Sequence, residues 1–367
     1  MSKIVSIATA VPAFCHRQDD LFEFASKVYC PTAEENRKLK FLYRHSGIGE
    51  RYSVIPDYSD AGINAAKRFF PDNATLDPFP SIEQRMKWYQ EEATDLSVQA
   101  IHKCIDGYIT PDRITHLITV SCTGMSAPGL DLQIMESMNL PATIIRSSVN
   151  FMGCYAAVHA LKIADVFCKA NPEANVMVVC TELCTLHFQK EPTADNITSS
   201  LLFGDGSAAV LIQGKNAKAD GIALCSFYSS VSFKGKKEMA WEISSTGFLM
   251  TLTGYVPELI KEDFAQLVTA ALNASGKQLN EVTHWCIHPG GKKILETIAK
   301  SLNLADGDLH HAYDVLKQYG NMSSPTILFV LMEMLEECRL NKPEQAVLFG
   351  AAFGPGLTME TFTASYA

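Results

Sequence analysis

The stretch ITHLITVSCTG at Ile114–Gly124 has a loose counterpart, VTHWCIHPGG, at Val282–Gly291. Their histidines, His116 and His284, lie 168 residues apart. Two further pairs of similar segments occur in the same chain order: MGCY and YGNM at Met152–Tyr155 and Tyr319–Met322, and LFGDGSAAVLI and LFGAAFGPGLT at Leu202–Ile212 and Leu348–Thr358. Each pair alone is weak, and chance similarity between Gly-rich strand ends is the alternative. Three pairs in one order predict two similar halves, residues 1–213 and 214–367.

Short apolar runs alternate with longer amphipathic segments along the chain, which is typical of a layered α/β fold. The strands are predicted at Thr115–Cys122, Ala142–Val149, Val176–Thr181, Ser207–Gln213, Val282–His288, Gln345–Phe349 and Thr358–Thr363. The helices are predicted at Glu92–Gly107, Cys154–Ala170, Pro257–Ala274, Lys292–Leu302 and Pro325–Leu340, the last capped by Ser323 or Ser324. In such folds the functional site lies beyond the carboxyl ends of strands, where loops and helix starts converge.

The composition excludes several classes of function. The 367 residues carry a net charge of −9, which opposes a nucleic-acid-binding or anionic membrane surface. No window is long and apolar enough to span a bilayer, and the start reads as a strand rather than a signal peptide. Eleven cysteines, an odd number within mostly apolar runs, predict reduced thiols and a cytoplasmic protein. His284, Cys286 and His288 alternate on one strand without further ligands nearby, so no metal site is predicted.

Three residues stand where a predicted strand ends or a predicted helix begins. Cys154 follows Gly153 at the start of a helix, where the macrodipole should lower the thiol pKa and favour a nucleophilic thiolate. His288 ends a strand and can act as a base or donate a hydrogen bond. Asn321 precedes a helix and can donate its amide to an oxyanion. The structural alternatives are a buried core thiol, a satisfied strand-end imidazole and a turn or cap residue.

A cysteine, a histidine and an asparagine supply a nucleophile, a base and an amide donor. Such a set suits acyl transfer from a thioester, followed by stabilisation of a carbanion formed by decarboxylation. The chain has no GxGxxG segment and no Walker lysine loop, so neither a dinucleotide nor ATP is expected as a cofactor.

The chain resembles the type III polyketide synthases, the chalcone-synthase-like branch of the thiolase superfamily, over most of its length. The motifs that carry the resemblance are SCTGMSAPGLD, MGCYAA, LFGDGSAA, IHPGGKKIL, YGNMSSPTILF and FGPGLTMET, which begin at Ser121, Met152, Leu202, Ile287, Tyr319 and Phe353. The resemblance implies a five-layered αβαβα thiolase fold and a homodimer. It also implies that a starter acyl-CoA is loaded on the cysteine and extended by decarboxylative Claisen condensation with malonyl-CoA, without a prosthetic group.

The same resemblance assigns further residues. Cys154, His288 and Asn321 take the roles of nucleophile, base and oxyanion donor, and Phe203 that of a gatekeeper at the coenzyme A tunnel. The substrate cavity is expected to include Thr123, Cys184, Leu186, His187, Met250 and Ser323. Coenzyme A phosphates are expected at Lys38, Arg44, Gly290, Gly291 and Lys293, although Phe41 and His45 replace cations that the family usually has. Met250 stands where a second gatekeeper phenylalanine is usual.

The apolar lining predicts a medium or long fatty acyl starter and an alkylpyrone- or resorcinol-type product, with His187 contacting the polar growing end. A small cavity with His187 turned away is the alternative. Three other functions remain open at this level. They are a ketoacyl synthase III that uses acyl carrier protein, a Cys-His-Asn hydrolase, and a non-catalytic binding protein of the same fold.

Overall fold

A computed structural model of the chain describes residues 2–30, 32–59, 68–73 and 75–366. Its strands are, in chain order, β1 Lys3–Ala10, β2 Phe14–Arg17, β3 Glu50–Ser53, β4 His116–Ser121, β5 Ile145–Asn150, β6 Asn175–Leu183, β7 Asp205–Gln213, β8 Ile222–Val231, β9 Met239–Ser244, β10 Gly247–Leu252, β11 His284–Ile287, β12 Val347–Gly354 and β13 Thr358–Tyr366. Its α-helices are α1 Gln18–Tyr29, α2 Ala33–His45, α3 Ile82–Ile105, α4 Leu130–Ser137, α5 Ala156–Ala170, α6 Ala194–Leu202, α7 Val256–Ala274, α8 Lys292–Leu302, α9 His310–Tyr319 and α10 Thr326–Asn341.

Within the described residues, nine strands form one sheet in the order β11-β12-β13-β8-β1-β7-β6-β4-β5. Strand β4 is parallel to β6, β6 is antiparallel to β7, and β7 is antiparallel to β1. The second half repeats these directions, with β11 parallel to β12, β12 antiparallel to β13, and β13 antiparallel to β8. Two residue pairs, Lys3 with Ala223 and Ile4 with Ile222, join the halves. The predicted fold of two duplicated halves is confirmed, while the division at residue 213 stays a prediction.

Helices α5 and α10 lie between the two halves of the sheet, because each contacts strands of both. Helix α10 buries Thr326–Leu331 without interruption, and a helix that is apolar on all sides belongs in the interior. Helix α3 covers β1, β6 and β7 on one outer side, and α7 covers β8 and β13 on the other. These are the five layers αβαβα of the thiolase fold. Among the described residues, no helix has the length and apolarity that a membrane crossing requires.

Several predicted helix starts are corrected. Helix α3 begins at Ile82, ten residues before the predicted Glu92, and α7 begins at Val256, one residue before the predicted Pro257. Helix α5 begins at Ala156 rather than Cys154, because a tight turn with positive φ at Phe151 and Gly153 precedes it. Helix α10 begins at Thr326 with Pro325 at its N-cap position and has no side-chain cap. The hydroxyl of Ser324 donates instead to Glu182, at 2.7 Å.

Candidate active site

The turn that carries Cys154 is closely packed. Gly153 has φ +81°, and a Cβ atom there would lie 2.2 Å from Cδ of Pro355. The N–H of Gly153 donates to Sγ of Cys122 at 3.0 Å, which fixes the peptide just before Cys154. Only glycine can hold this turn without moving the nucleophile or Pro355. The side chain of Cys154 is then buried, with 8% of the residue exposed.

Two hydrogen bonds of its side-chain amide fix the position of Asn321 beside Cys154. Its Oδ1 accepts the N–H of Ser323 at 2.8 Å, and its Nδ2 donates to the carbonyl of Gly290 at 3.3 Å. The side chains of Asn321 and Ser323 also lie close enough to the sulfur of Cys154 to lower the pKa of its thiol. The structure therefore brings Cys154, Asn321 and Ser323 together. Asn321 makes the contacts of a turn residue and still lies beside the reactive sulfur.

His288 lies in the loop to which Asn321 is bonded, two residues before Gly290. Its main-chain N–H donates to the carbonyl of Ala351 at 2.9 Å, which continues the pairing of β11 with β12. The residue is 1% exposed, yet neither ring nitrogen has a hydrogen-bond partner among the described residues. Buried polar atoms almost always have partners, so this imidazole is placed for a ligand or a reacting group.

Burial changes the pKa values of both groups. It raises the pKa of the Cys154 thiol to about 11, with the charge of Glu182 acting in the same direction and hydrogen bonds from Ser323 and Asn321 lowering it. Burial lowers the pKa of His288 to about 3. The sequence argument predicts a lowered thiol pKa, but a helix N-terminus contributes only about 1 kcal/mol, less than one pH unit, and burial outweighs it. Both groups are therefore uncharged near neutral pH in the folded chain.

Glu182, which the sequence analysis missed, is a fully buried carboxylate beneath this site at the end of β6. Its oxygens accept the N–H of Cys122 at 2.8 Å and the hydroxyls of Thr123 and Ser324 at 2.8 and 2.7 Å. Burial raises the pKa of Glu182 to about 6, while these hydrogen bonds lower it. The carboxylate therefore ties the loop after β4 to the segment before α10. The sequence signal that could have identified Glu182 is its position as a charged residue directly after the apolar run Val176–Thr181.

A small, mostly apolar cavity of about 30 Å³ lies beside Cys154. Of the residues predicted to form the cavity, Thr123, Cys184, Phe203, Met250 and Ser323 line it. Trp241 lines it too, and the sequence analysis did not select this residue. One water molecule needs about 10–15 Å³ of cavity volume when the volume is that open to the centre of a water-sized sphere. In this conformation the cavity therefore holds only a short acyl group.

Trp241 forms a rigid wall of this cavity. It faces Met250 across the β9–β10 hairpin, and its Nε1–H donates to the carbonyl of Cys122 at 2.7 Å. The edge of its indole packs against the ring of His187, with centroids 5.6 Å apart. A hydrogen-bonded indole packed on a second ring cannot turn aside without breaking both contacts.

Two predicted cavity residues have other surroundings. His187 stacks on Phe248 with centroids 4.2 Å apart, its Nε2 bonds to the carbonyl of Thr123 at 2.7 Å, and its Nδ1 accepts the N–H of Phe248 at 3.0 Å. Both ring nitrogens are used, so His187 has none to offer to a growing polyketide end. Leu186 is fully buried and lines neither this cavity nor the next one, because its turn directs it into the core.

A second cavity, of about 50 Å³, lies behind the first. Cys184, Phe203, Trp241 and Met250 line both cavities and therefore form the wall between them. His187 lines only the second cavity. Movement of Phe203 or of the flexible Met250 would join the two spaces.

The residues predicted to bind coenzyme A phosphates lie in two places. Lys38 is exposed and pairs with Glu34 one helical turn away, at 2.7 Å. Arg44 and Lys293 are exposed, near the end of α2 and at the start of α8, and these helix ends adjoin because Gly47 packs on Lys292. Gly290 and Gly291 are buried just before α8. The first turn of α8 offers unpaired N–H groups to a phosphate, whereas Lys38 lies about 9 Å along α2 from Arg44.

The fold and this site together define a thiolase-fold acyltransferase. Residues 1–216 match the family model described as chalcone and stilbene synthases, N-terminal domain, and residues 228–365 match the corresponding C-terminal domain. The chain belongs to the chalcone and stilbene synthase family, the type III polyketide synthases.

Relatives from bacteria and an alga agree with this assignment. A Mycobacterium tuberculosis protein described as alpha-pyrone synthesis polyketide synthase-like Pks18 is 30% identical over 364 residues, 97% of this chain and 89% of that protein. A 3,5-dihydroxyphenylacetyl-CoA synthase of Amycolatopsis balhimycina is 26% identical, over 98% of this chain and 92% of that protein. The crystal structure of PKS-I from the brown alga Ectocarpus siliculosus superposes with a TM-score of 0.93 at 25% identity, covering 100% of this chain and 98% of that one.

Proposed function

We propose that this enzyme loads a starter acyl group from coenzyme A onto Cys154, extends it with malonyl-CoA, and releases a cyclised pyrone- or resorcinol-type product. One observation carries the proposal. The sulfur of Cys154 is buried at a small, mostly apolar cavity, against the side chains of Asn321 and Ser323. The unpartnered ring of His288 in the adjoining loop supports it. The family assignment and the alpha-pyrone description of the mycobacterial relative favour the same chemistry.

The loading step uses the pair of Cys154 and His288. His288 takes the thiol proton as sulfur attacks the thioester carbonyl, and the acyl group passes to Cys154 while coenzyme A leaves as the thiol. A nucleophile and a base that are both buried exchange a proton without either having to carry an isolated charge. This step needs only side chains of the chain and the coenzyme A thioester, so no further cofactor is proposed.

The extension step uses Asn321 and His288 as donors. Malonyl-CoA loses CO₂, and the electron pair of the broken C–C bond becomes an enolate whose oxygen accepts hydrogen bonds from the Asn321 amide and the His288 ring. The enolate carbon attacks the acyl-Cys154 carbonyl, and the thiolate leaves. A chain two carbons longer is then held by coenzyme A. Preorganised donors in a dry site stabilise such an oxyanion far better than water does.

The size of the cavity favours a short starter, which differs from the medium or long acyl chain expected from the sequence. The space of about 30 Å³ beside Cys154 is bounded by Trp241, and Phe203 and Met250 separate it from the second cavity, so in this arrangement it favours a short acyl group. We therefore propose that acetyl- to hexanoyl-sized starters are preferred and that the product is a short-chain pyrone.

The function is tested with malonyl-CoA and a panel of acetyl-, hexanoyl-, dodecanoyl- and coumaroyl-CoA, without carrier protein, with products identified by mass spectrometry. Cyclised polyketides from the short starters are the expected result. Turnover only when acyl carrier protein delivers the malonyl unit would identify a ketoacyl synthase III instead. Hydrolysis of the thioesters without extension would identify a hydrolase.

Replacing Trp241 with alanine should move the preference toward longer starters. The substitution removes the wall opposite Met250, and each further methylene that is buried gains about 0.8 kcal/mol. Two additional methylenes are then sufficient to raise kcat/KM for dodecanoyl-CoA relative to acetyl-CoA about tenfold. Competition between the two starters measures the ratio. Phe233→Ala removes an aromatic side chain that is 82% exposed and serves as the control. An unchanged ratio in Trp241→Ala would contradict the role of this wall.

Replacing Asn321 with alanine should separate loading from extension. Removing one oxyanion donor typically costs about 100- to 1000-fold in rate, and in the proposed mechanism the enolate forms only in the malonyl step, whereas in loading Asn321 only lowers the pKa of the thiol. The variant should therefore still acylate Cys154, which intact-protein mass spectrometry detects, but release ¹⁴CO₂ from carboxyl-labelled malonyl-CoA very slowly. Asn280→Ala, at an exposed position, should behave as the unmodified chain. Equal losses of both steps would mean that Asn321 acts only through its contacts with Ser323 and Gly290.

We also propose that the enzyme is a homodimer that acts in the cytoplasm. Strand β5 is the edge of the sheet, and Ile145 on it is 53% exposed, which favours coverage by a second copy. All eleven cysteines lie within the described residues and are free thiols, as in a reducing compartment. Sedimentation velocity at micromolar concentration should give the mass of two chains.

A further inference from the structure

A cluster of histidines and glutamates lies on the far side of the second half, away from Cys154. One ring nitrogen of His310, one of His311 and a carboxylate oxygen of Glu337 lie within 4.8 Å of one another. Their separations from Oε2 of Glu337 are 3.9 Å for His310 and 2.6 Å for His311. Because the two histidines begin α9 and Glu337 lies on α10, no spacing in the sequence reveals the group.

The hydrogen bond of His310 fixes which of its nitrogens is free. Its Nδ1 lies 2.7 Å from the carbonyl of Gly307, and a carbonyl can only accept, so Nδ1 carries the hydrogen. Nε2 is therefore the nitrogen left to face the carboxylate of Glu337. The gap of 3.9 Å is too long for a hydrogen bond. A metal ion between the two atoms would bind both of them.

His311 has a carboxylate at each ring nitrogen. Nδ1 is 3.1 Å from Glu333, and Nε2 is 2.6 Å from Glu337. A carboxylate only accepts, so the contact of 2.6 Å is a hydrogen bond from Nε2 to Glu337 in the metal-free chain. A metal ion bound to Nε2 would replace that hydrogen, while the N–H at Nδ1 donates to Glu333. A carboxylate on the second nitrogen of a histidine is the usual support of a metal ligand, because it fixes the tautomer and the ring orientation.

We propose that His310, His311 and Glu337 bind a divalent metal ion of the zinc class, with Glu333 orienting His311. Two imidazole nitrogens and one carboxylate are a common protein ligand set for Zn²⁺, which lies about 2.0–2.2 Å from each ligand atom. The ligand atoms need only small side-chain shifts to reach a tetrahedral arrangement. The side chain of His310 is 53% exposed, so water completes the fourth position.

The ion would brace the part of the fold that delivers the catalytic residues. It joins the start of α9 to the middle of α10, and His284, the first residue of β11, interacts electrostatically with the same three groups. Strand β11 leads directly to His288, and α9 leads to Asn321. An ion at this cluster lies about 15 Å along α9 from the active site and therefore supports its geometry rather than its chemistry.

The test uses the tag-free enzyme after dialysis against a chelator. Equilibrium dialysis with Zn²⁺ measures stoichiometry and affinity, and the visible spectrum of the Co²⁺ form reports the coordination geometry. We expect one ion per chain with a tetrahedral spectrum, and an increase in Tm on Zn²⁺ addition. His310→Ala and His311→Ala should lose the ion, and Glu333→Gln should weaken its binding about 10- to 100-fold.

The controls are His102→Ala, at an exposed histidine of α3, and Glu336→Gln, at an exposed glutamate beside Glu337. Both should bind like the unmodified enzyme. Equal binding by every variant would place the ion on other groups, such as free thiols, and would overturn the proposal. Absence of binding would reduce the cluster to an ion pair between His311 and its two glutamates. If His311→Ala unfolds, His310→Ala still decides, because its side chain lies at the surface.

Discussion

Cys154→Ala should abolish acylation, the largest effect expected for any substitution in this chain. Cys154 is the thiol that lies against Asn321 and Ser323, so removal of its sulfur removes the group that is proposed to carry the acyl chain. After incubation with a radiolabelled acyl-CoA and denaturation, label on the protein should fall to background. The cavity gains only the volume of one sulfur atom, so Tm should change little.

Cys180→Ala is the matched control, because Cys180 is fully buried within β6 and does not line the cavity. Its variant should load normally. Cys122 was predicted to lie within a strand and would then also serve as a control, but the structure makes it less suitable. Strand β4 ends at Ser121, and Cys122 lines the cavity and accepts the N–H of Gly153. Label that persists in Cys154→Ala would remove the central assignment.

His288→Ala should give the second largest effect, a loss of about 100- to 10,000-fold in acylation rate near neutral pH. Without the imidazole, the thiol keeps the pKa of about 11 that burial imposes, and almost no thiolate exists at pH 7. A thiol with a raised pKa becomes anionic only as the pH rises toward that value. Alkylation of Cys154 by iodoacetamide in this variant should therefore increase steadily from pH 7 to pH 10.

In the unmodified chain, alkylation at pH 7 should be much faster, since His288 accepts the proton. His102→Ala, an exposed histidine, provides the comparison. Equal alkylation rates at pH 7 for His288→Ala and the unmodified chain would show that His288 is not the base. Because alkylation needs no acyl-CoA, the result separates proton transfer from substrate binding.

Local sequence was sufficient where one segment decides a feature. The apolar runs predicted β4, β6 and β7 to within a few residues, because a buried strand needs a continuous run of apolar side chains. Strands β2, β3 and β8, the hairpin β9–β10 and helices α1, α2, α4, α6 and α9 were missed. Their faces are partly polar, and packing on neighbouring elements stabilises them more than local preference does.

The composition of the site was decided only by contacts between distant segments. Trp241 reaches the carbonyl of Cys122, 119 residues away in the chain, and Glu182 bonds to Ser324, 142 residues away. For this reason the proposed starter is a short acyl group, whereas the apolar lining predicted a medium or long one. Cavity volume depends on which side chain fills the space, and no motif near Cys154 or Met250 records that Trp241 does so.

The sequence by itself determined the fold class, the two duplicated halves and the turn at Gly153 that presents Cys154, because these depend on local residue type and on order along the chain. Only the tertiary structure decided the pKa shifts of Cys154 and His288 and the hydrogen bonds that occupy both ring nitrogens of His187. It also decided the size of the cavity and the cluster at His311. Burial and hydrogen-bond partners are properties of the packed molecule. They arise when residues from separate strands and helices are brought within a few ångströms of one another.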